Sequence, residues 1–310
     1  MNHRILITGS SGLVGSALAM ELERRSVDVV RFDLRASGRA RGDVREHGDL
    51  AAAVADVSGI VHLAAVSRVL WGEHDPEGCW STNVGGTRNV LDVAKTSSCR
   101  PWVIFASSRE VYGQPAVLPA DEDTPLHPVN IYGRSKVEGE RLVEEARSAG
   151  VRACTIRLSN VFGSINDHAD RVVPAFARGA VAGGELRIDG ADHTFDFTFI
   201  DDVARGIASL ADLLSTPVAA PPPIHFVSGH PTTLAELAAL AIQLAGTKAT
   251  ISHAPPRNFD VARFIGDGGR ARQLLDWQPR VDLREGLARL VQAFQKELEP
   301  VDAAQTETVR

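Results

Sequence analysis

Tyr132 and Lys136 are the two residues of this sequence whose types and spacing fit proton transfer. They stand four residues apart in a stretch that predicts a charged-faced helix over 132–147, so both side chains lie on one helix face. A phenol with a pKa of about 10 is a poor base at neutral pH, but a neighbouring ammonium favours its ionised form. The pair therefore fits removal of a proton from a hydroxyl, although alone it also fits an ordinary helix surface.

A second chemical feature is the loop that carries Gly9, Gly12 and Gly15 between a hydrophobic strand and the start of a helix. Glycines let backbone approach a pyrophosphate closely, and the helix N-terminus faces the anion. Asp33 ends the second predicted strand, where a carboxylate can accept both ribose hydroxyls of NAD and repel the 2′-phosphate of NADP. The flanking Arg31 and Arg35 keep NADP open, and a plain turn residue is the other interpretation of Asp33.

The elements that position these residues alternate between short β-branched runs and amphipathic stretches, which predicts an α/β protein with a doubly wound parallel sheet. The predicted strands are 4–8, 27–33, 60–65, 102–107, 153–158, 186–189, 195–200 and 224–228, with a short piece around 42–44. The predicted helices are 16–25, 48–55, 82–96, 132–147, 172–182, 201–213, 232–245 and 283–296.

The bulk composition excludes several classes of function. The 310 residues are 44% hydrophobic and 23% charged, which is ordinary for a globular protein. A net charge of -6 with scattered basic residues gives no electrostatic footprint for nucleic acid or an anionic membrane. Three widely spaced cysteines indicate reduced thiols rather than disulfides or a metal site. We predict a soluble cytoplasmic protein that binds neither nucleic acid nor membrane.

Further motifs follow in order along positions 5 to about 290. They are Gly42-Asp-Val-Arg45, His62-Leu-Ala-Ala65, Asn83-Val-Gly-Gly-Thr87, Ser107-Ser-Arg-Glu-Val-Tyr-Gly113, Tyr132-Gly-Arg-Ser-Lys136, Arg157-Leu-Ser-Asn160-Val-Phe-Gly163, Phe195-Asp-Phe-Thr-Phe-Ile-Asp-Asp202 and Arg257-Asn-Phe-Asp260. With the Gly-x-x-Gly-x-x-Gly loop, the chain resembles the extended short-chain dehydrogenases/reductases, the group of NAD-dependent nucleotide-sugar epimerases and dehydratases that includes UDP-glucose 4-epimerases.

This resemblance implies a Rossmann-type domain over 1–163 plus about 195–228, and a smaller C-terminal α/β substrate lobe over about 164–194 plus 229–298. It leaves 299–310 as a disordered tail. It implies no metal, so we interpret the polar stretch 166–171 as a loop over the substrate rather than a metal site.

The resemblance also assigns the site residues. The catalytic set is Ser108, Tyr132, Lys136 and Glu110. NAD is expected to contact Gly9, Gly12, Leu13, Val14, Gly15, Asp33, Asp43, Val44, Leu63, Ala64, Ala65, Asn83, Tyr132 and Lys136. The nucleotide sugar is expected to contact Ser108, Asn160, Val172, Arg257 and Asp260.

Two positions leave the function open. Glu110, two residues after Ser108, is typical of decarboxylases and dehydratases, but it also fits a structural carboxylate that pairs with an arginine or with backbone. Many relatives carry an arginine where this chain has Phe195, and that arginine pairs with the substrate diphosphate. One such contact is therefore expected from Arg257 and one is lost, unless His193 or Arg171 replaces it.

We predict a nucleotide-sugar epimerase, most simply at C4 through a transient 4-keto intermediate, with NAD retained during turnover. The alternatives are a decarboxylase or dehydratase of the same group, a dehydrogenase or reductase with net redox change, and a non-catalytic NAD-sensing scaffold. The presence of both Tyr132 and Lys136 argues against the scaffold. A homodimer is expected through the helices at 82–96 and 132–147.

Overall fold

The computed structural model describes residues 4–257 and 259–298. Its strands are β1 Arg4–Thr8, β2 Asp28–Phe32, β3 Gly59–His62, β4 Trp102–Ser108, β5 Ala153–Leu158, β6 Asn160–Phe162, β7 Glu185–Asp189, β8 Thr194–Phe199, β9 Ile224–Phe226, β10 Pro231–Thr233 and β11 Thr250–Ala254. The predicted tail 299–310 lies outside the described residues.

Helices separate most of these strands. They are α1 Leu13–Arg24, α2 His47–Ala53, α3 Val69–His74, α4 Pro76–Trp80, α5 Gly86–Thr96, α6 Ile131–Ser148, α7 Val172–Val181, α8 Ile200–Leu214, α9 Leu234–Ala245, α10 Gly269–Leu275 and α11 Leu283–Leu298. A π-helical segment, Ser81–Gly85, leads into α5, and 3-10 turns lie at Gly38–Ala40 and Arg109–Tyr112. None of the described helices is long and apolar enough to cross a bilayer.

The central sheet has the strand order β2-β1-β3-β4-β5-β9. Every neighbouring pair in it is parallel, which confirms the predicted parallel sheet. The chain runs outward from β1 to β2 and then returns to the other side of β1 to form β3, so the strand order reverses between β1 and β3. Ligands of open parallel sheets bind in the crevice beyond the carboxyl ends of the strands at such a point.

Strand β1 shows why both faces of the sheet are covered. Ile5 and Ile7 belong to one hydrophobic cluster, together with Leu18 and Leu22 of α1. Leu6, between them, belongs to a second cluster formed with the helices of the opposite face. Successive side chains of a strand point to opposite faces, so a run without polar residues requires helices on both. The hydrophobic strands of the sequence satisfy this requirement.

The remaining strands form two smaller sheets. Strands β10, β8 and β6 form a three-stranded sheet, and β11 pairs with β7 in parallel. Helices α7, α9 and α11 pack against one another beside them. Although β8 stays out of the central sheet, the helix that follows it, α8, packs against α1. The division of the chain into two domains at the predicted bounds stays a prediction.

The predicted short piece at 42–44 is not a strand. Its backbone forms a loop in which the Gly42 amide donates to the Asp33 carbonyl, and only Arg41 makes an isolated parallel bridge with Asp33. The loop nevertheless brings Asp43 and Val44 to the edge of the crevice, where the resemblance expects them.

Candidate active site

A cavity of about 870 Å³ opens beyond the carboxyl ends of the central strands. Among its lining residues are the catalytic set and all the predicted substrate contacts, which are Ser108, Glu110, Tyr132, Lys136, Asn160, Val172, Arg257 and Asp260. All the predicted cofactor contacts except Asn83 line it as well, namely Gly9, Gly12, Leu13, Val14, Gly15, Asp33, Asp43, Val44, Leu63, Ala64 and Ala65. Residues that are far apart in the sequence therefore face one space.

The glycine loop forms a cradle with no room for side chains. Gly9 has a φ of +72°, and a Cβ there would lie 2.7 Å from the backbone nitrogen of Ala64. A Cβ on Gly15 would lie 2.2 Å from the carbonyl oxygen of Gly9. Helix α1 follows with Gly12 as its N-cap, without a capping side chain and without an acidic residue in its first turn. Its free N–H groups and its dipole fit the pyrophosphate of a dinucleotide.

Asp33 lies at the end of β2 with its carboxylate in a fixed position. One oxygen accepts a hydrogen bond from the Ser11 amide at 2.9 Å, and the other accepts one from the Arg35 amide at 2.8 Å. The side chain is buried, yet the residue borders the cavity. Since each carboxylate oxygen can accept a second hydrogen bond, this geometry fits two ribose hydroxyls.

Asp43 and Val44 mark the far end of the crevice from the tyrosine. Hydrogen bonding by the Arg45 guanidinium holds the pKa of Asp43 below its ordinary value. The carboxylate therefore stays ionised at neutral pH, and both of its oxygens accept hydrogen bonds from Arg45. Arg45 is partly exposed and also lines the cavity.

Asn83 is not among the residues that line the cavity, and its contact with the cofactor stays a prediction. Its side-chain oxygen accepts from the Val66 amide at 2.8 Å, and its amide group donates to the Val66 carbonyl at 3.1 Å and to the Ser135 hydroxyl at 2.9 Å. These contacts engage both polar atoms of the Asn83 side chain. Asn83 fixes the loop after β3 against α6.

The proposed catalytic residues come from one strand end and one helix start. Ser108 ends β4, and Tyr132 lies in the first turn of α6 with Lys136 one turn later. Asn130 caps this helix, since its side chain accepts from the Gly133 amide at 2.7 Å, and it thereby fixes where the helix begins. The Lys136 ammonium lies 5.8 Å from the centre of the Tyr132 ring.

The protein groups alone do not favour ionisation of Tyr132. Burial raises the pKa of Tyr132 to about 12, although hydrogen bonding with Ser108 and the charge of Arg171 act in the opposite direction. Burial also lowers the pKa of Lys136 to about 8. Lys136 donates to the Ala106 carbonyl at 2.8 Å. The groups of the protein therefore keep Tyr132 in its phenol form, and its ionisation requires a further positive charge.

A buried network behind the site holds α6 against the sheet. Glu140, one turn after Lys136, accepts from the Ser107 hydroxyl at 2.5 Å. Glu140 also forms a bidentate ion pair with Arg157 of β5. Arg157 Nε donates to Oε1 at 2.9 Å, and Nη2 donates to Oε2 at 2.7 Å. Arg157 in turn donates to the Tyr112 hydroxyl at 2.6 Å. These bonds link the helix that carries Tyr132 and Lys136 to the strand that ends in Ser108.

Glu110 is engaged on both of its carboxylate oxygens. The Arg109 guanidinium lies 2.9 Å from Oε1, and the Asn130 side-chain amide donates to Oε2 at 2.8 Å. Its side chain is only 7% exposed. This geometry agrees with a carboxylate that pairs with an arginine, which is the structural interpretation of the residue.

The substrate side of the cavity is formed by the smaller lobe. Asn160 begins β6, and Val172 begins α7, whose N-cap has no capping side chain. Arg257 donates to Asp260 at 2.8 Å and lies over the ring of Phe259. The uncapped helix start and the guanidinium together fit a second group of phosphate oxygens.

A cation does lie at Phe195, but it comes from a residue that the sequence did not indicate. The Arg109 guanidinium stacks over the Phe195 ring at 4.4 Å from its centre. His193 meets the same ring edge-on, at 6.1 Å between ring centres. Arg171 lies instead beside Asp167, at 3.5 Å, and Ser67, at 3.3 Å. His193 and Arg171 both line the cavity, so a role of either in phosphate binding stays a prediction.

Sequence reasoning also missed the contact between two loops at the mouth of the cavity. Arg68 binds Asp170 at 2.7 Å, and the Trp71 and His168 rings meet edge-on at 4.8 Å. The loop at 166–171 is thus part of the cavity wall, as its polar composition predicted. Its partner, the segment after β3, gave no comparable signal.

A sequence model of the NAD dependent epimerase/dehydratase family matches residues 5–221. The chain is 32% identical to a UDP-glucose 4-epimerase from Mycolicibacterium smegmatis, over 94% of this chain and 98% of that protein. It is 32% identical to UDP-glucuronic acid decarboxylase 1 from Danio rerio, over 96% of this chain and 73% of that protein. Among solved structures it resembles MoeE5 in complex with UDP-glucuronic acid and NAD, with a TM-score of 0.88, 25% identity, and coverage of 95% of this chain and 100% of that chain.

Proposed function

The chain belongs to the NAD-dependent epimerase/dehydratase family, and from this premise we propose that it is a nucleotide-sugar epimerase that acts at C4 through a transient 4-keto intermediate. As a member of this family it is an enzyme, and its cofactor is NAD. The observation that carries the proposal is that Ser108, Tyr132 and Lys136 share one cavity with the glycine loop, while both oxygens of Glu110 are taken by neighbours.

The proposed roles follow from these positions. Tyr132 takes the proton of the sugar hydroxyl and later returns it, and Ser108 holds the same oxygen in place. Lys136 hydrogen-bonds the nicotinamide ribose and places its charge beside the phenol. NAD, when bound, supplies the acceptor for the hydride and the positive nicotinamide ring. The glycine loop and Asp33 hold its pyrophosphate and its adenosine ribose, respectively.

The substrate would be held from the smaller lobe. Arg257 and the N–H groups at the start of α7, from Val172, fit a diphosphate, which carries about two negative charges. Asn160 and Asp260 offer polar groups toward the remainder of the nucleotide sugar. Because the relatives above are named for UDP-sugars, we propose these as the first substrates to test.

A lyase of the same family is the second candidate. It is favoured by the position of Glu110, two residues after Ser108, and by the similarity to a decarboxylase. The pairing of Glu110 with Arg109 and Asn130 counts against it, because an acid–base step after oxidation needs a carboxyl group free to exchange a proton.

The test is to incubate the NAD-loaded protein with UDP-, GDP-, CDP- and ADP-sugars and to follow the products by mass spectrometry and NMR. We expect a product of unchanged mass with inverted configuration at C4 and no net NADH. Loss of CO2 or water would mark a lyase, and net NADH would mark a dehydrogenase. Tyr132→Phe is the control, since it removes the proposed base and leaves the walls of the cavity in place.

We further propose a homodimer that pairs through α5 and α6, which lie side by side on one face of the sheet. Sedimentation at micromolar concentration tests this, because a monomer alone would contradict it. A cytoplasmic location stays a prediction from composition.

A further inference from the structure

Arg109 has an arrangement that the proposed chemistry does not use. It follows Ser108 directly and opens the 3-10 turn Arg109–Tyr112, and it lines the cavity with a side chain that is only 12% exposed. One nitrogen of its guanidinium, Nη2, pairs with Glu110 at 2.9 Å. The other, Nη1, is buried and has no hydrogen-bond partner among residues 4–257 and 259–298.

The contacts of the Arg109 side chain favour the binding of an anion. The guanidinium carbon of Arg109 lies over the Phe195 ring, 4.4 Å from its centre, which restricts the position of the side chain. Glu110, its ionic partner, is itself held by Asn130, the residue that caps α6. A buried guanidinium edge without an acceptor is unfavourable, and a planar guanidinium matches the two oxygens of a carboxylate. The arrangement is therefore complete only when an acceptor is supplied from outside the protein.

The position of Arg109 indicates which part of the substrate supplies this acceptor. Its neighbour in the sequence is Ser108, the residue proposed to hold the reacting oxygen. Its ionic partner Glu110 lies close enough to Tyr132 to raise the pKa of the phenol. The partners proposed for the diphosphate, Arg257 and the start of α7, are separate groups. Arg109 therefore belongs to the part of the cavity wall that carries Ser108 and Tyr132.

We propose that Arg109 binds a carboxylate carried by the sugar ring, so that the substrate is a nucleotide-linked hexuronic acid and not a neutral hexose. This inference rests on the proposed function. The hydroxymethyl group of a neutral hexose offers an uncharged acceptor with one oxygen, whereas a carboxylate offers two charged oxygens at the same place. The carboxylate, a negative charge beyond those of the diphosphate, would then meet the guanidinium that Phe195 and Glu110 hold in place.

The experiment measures binding, so that it does not depend on turnover. UDP, UDP-glucose and UDP-glucuronate are titrated calorimetrically into NAD-loaded protein that carries Tyr132→Phe, with Arg109 intact or changed to Gln. We expect Arg109→Gln to weaken UDP-glucuronate by roughly 10- to 150-fold, the range for a lost charged hydrogen bond. UDP and UDP-glucose should change by less than about threefold. Arg109→Lys, which keeps the charge without the planar fork, should fall between the two.

Arg187→Gln is the matched control, because Arg187 also lines the cavity but is exposed and paired with Asp189 at 3.0 Å. It should leave all three affinities unchanged. Equal losses for UDP, UDP-glucose and UDP-glucuronate in Arg109→Gln would assign Arg109 to the diphosphate and overturn the inference. Tighter binding of UDP-glucose than of UDP-glucuronate to the intact site would overturn it too, while the proposed function would stand. Failure of all three ligands to bind would overturn the inference for UDP-sugars, whereas the proposed function would still be tested by the GDP-, CDP- and ADP-sugars.

Discussion

The ionisation of Tyr132 is expected to depend on bound NAD. In the protein alone its pKa is about 12, and that of Lys136 is about 8. The lysine therefore loses its charge before the tyrosine begins to ionise, so it cannot assist. A second cation can lower the pKa of the Tyr132 phenol below that of the Lys136 ammonium. Tyrosinate and ammonium are then present together, and the charge of Lys136 also stabilises the tyrosinate.

The required free energy can be worked out from these values. Bringing the pKa of Tyr132 from about 12 to about 7 takes about five units, or ~7 kcal/mol at 1.36 kcal/mol per unit. An ammonium at 5.8 Å, the distance from Lys136 to the ring centre, supplies ~3 kcal/mol at an effective dielectric constant of about 20. The remaining ~4 kcal/mol equals one further unit charge at about 4 Å. A positive nicotinamide ring is a charge of this kind.

The chain makes this measurement simple, because it has 2 tyrosines. Burial also raises the pKa of the other one, Tyr112. With isotope-labelled tyrosine, NMR titration of the NAD-free protein should show neither resonance shifting at neutral pH. With NAD bound, the Tyr132 resonance alone should titrate near pH ~7, and in Lys136→Met its pKa should rise by about two units. Ionisation of Tyr132 near neutral pH without NAD, or an unchanged pKa in Lys136→Met, would refute the reasoning.

Three further predictions concern the site. Tyr132→Phe should lower kcat by roughly 10²- to 10⁴-fold while NAD stays bound, and a variant that keeps more than about a tenth of the activity would contradict the assignment of the base. Asp33→Ser should weaken NAD roughly 10-fold or more and relieve the repulsion of NADP, which calorimetry with both cofactors checks; equal NAD affinity would count against it. Arg257→Ala should raise KM by about 10- to 150-fold and change kcat less, since the diphosphate lies away from the reacting carbon; an unchanged KM would place the phosphates elsewhere.

The central sheet is predictable from the sequence because its strands are buried on both faces. Short, mostly apolar runs of this kind pack well between two layers of helices, and the predicted bounds 4–8 and 153–158 agree with β1 and β5. The missed elements are short or partly exposed. Helices α3 and α4 span fewer than two turns, and β11 has a mostly half-buried pattern. Periodicity needs a longer stretch to show which face is buried.

Some features of the site follow from the local sequence, whereas others depend on the tertiary structure. Tyr132 and Lys136 follow from spacing on one helix, and the glycine loop follows from its position between a strand and a helix. The contacts of Asn83 with Val66 and Ser135 cannot be predicted from spacing, because they depend on how the loop after β3 packs against α6. The perturbed pKa of Tyr132 is also a tertiary property, since burial by several elements sets it. Sequence spacing specifies which groups are neighbours, but not how much water remains around them.

Arg109 and Phe195 have to be interpreted as a pair, because the structure places them in contact. Many relatives carry an arginine on β8 where this chain has Phe195, so this chain lacks that guanidinium. The Arg109 guanidinium lies instead on the residue after the proposed catalytic serine. In the fold, the added guanidinium lies on the ring that replaced the missing one, and such a contact contributes about 0.5–2 kcal/mol depending on desolvation. Changing Phe195 alone would remove the surface that orients Arg109, and changing Arg109 alone would leave an aromatic ring facing a polar ligand. The charge on this part of the cavity wall is therefore set jointly by the two positions, and substitutions of Arg109 and Phe195 are expected to be coupled.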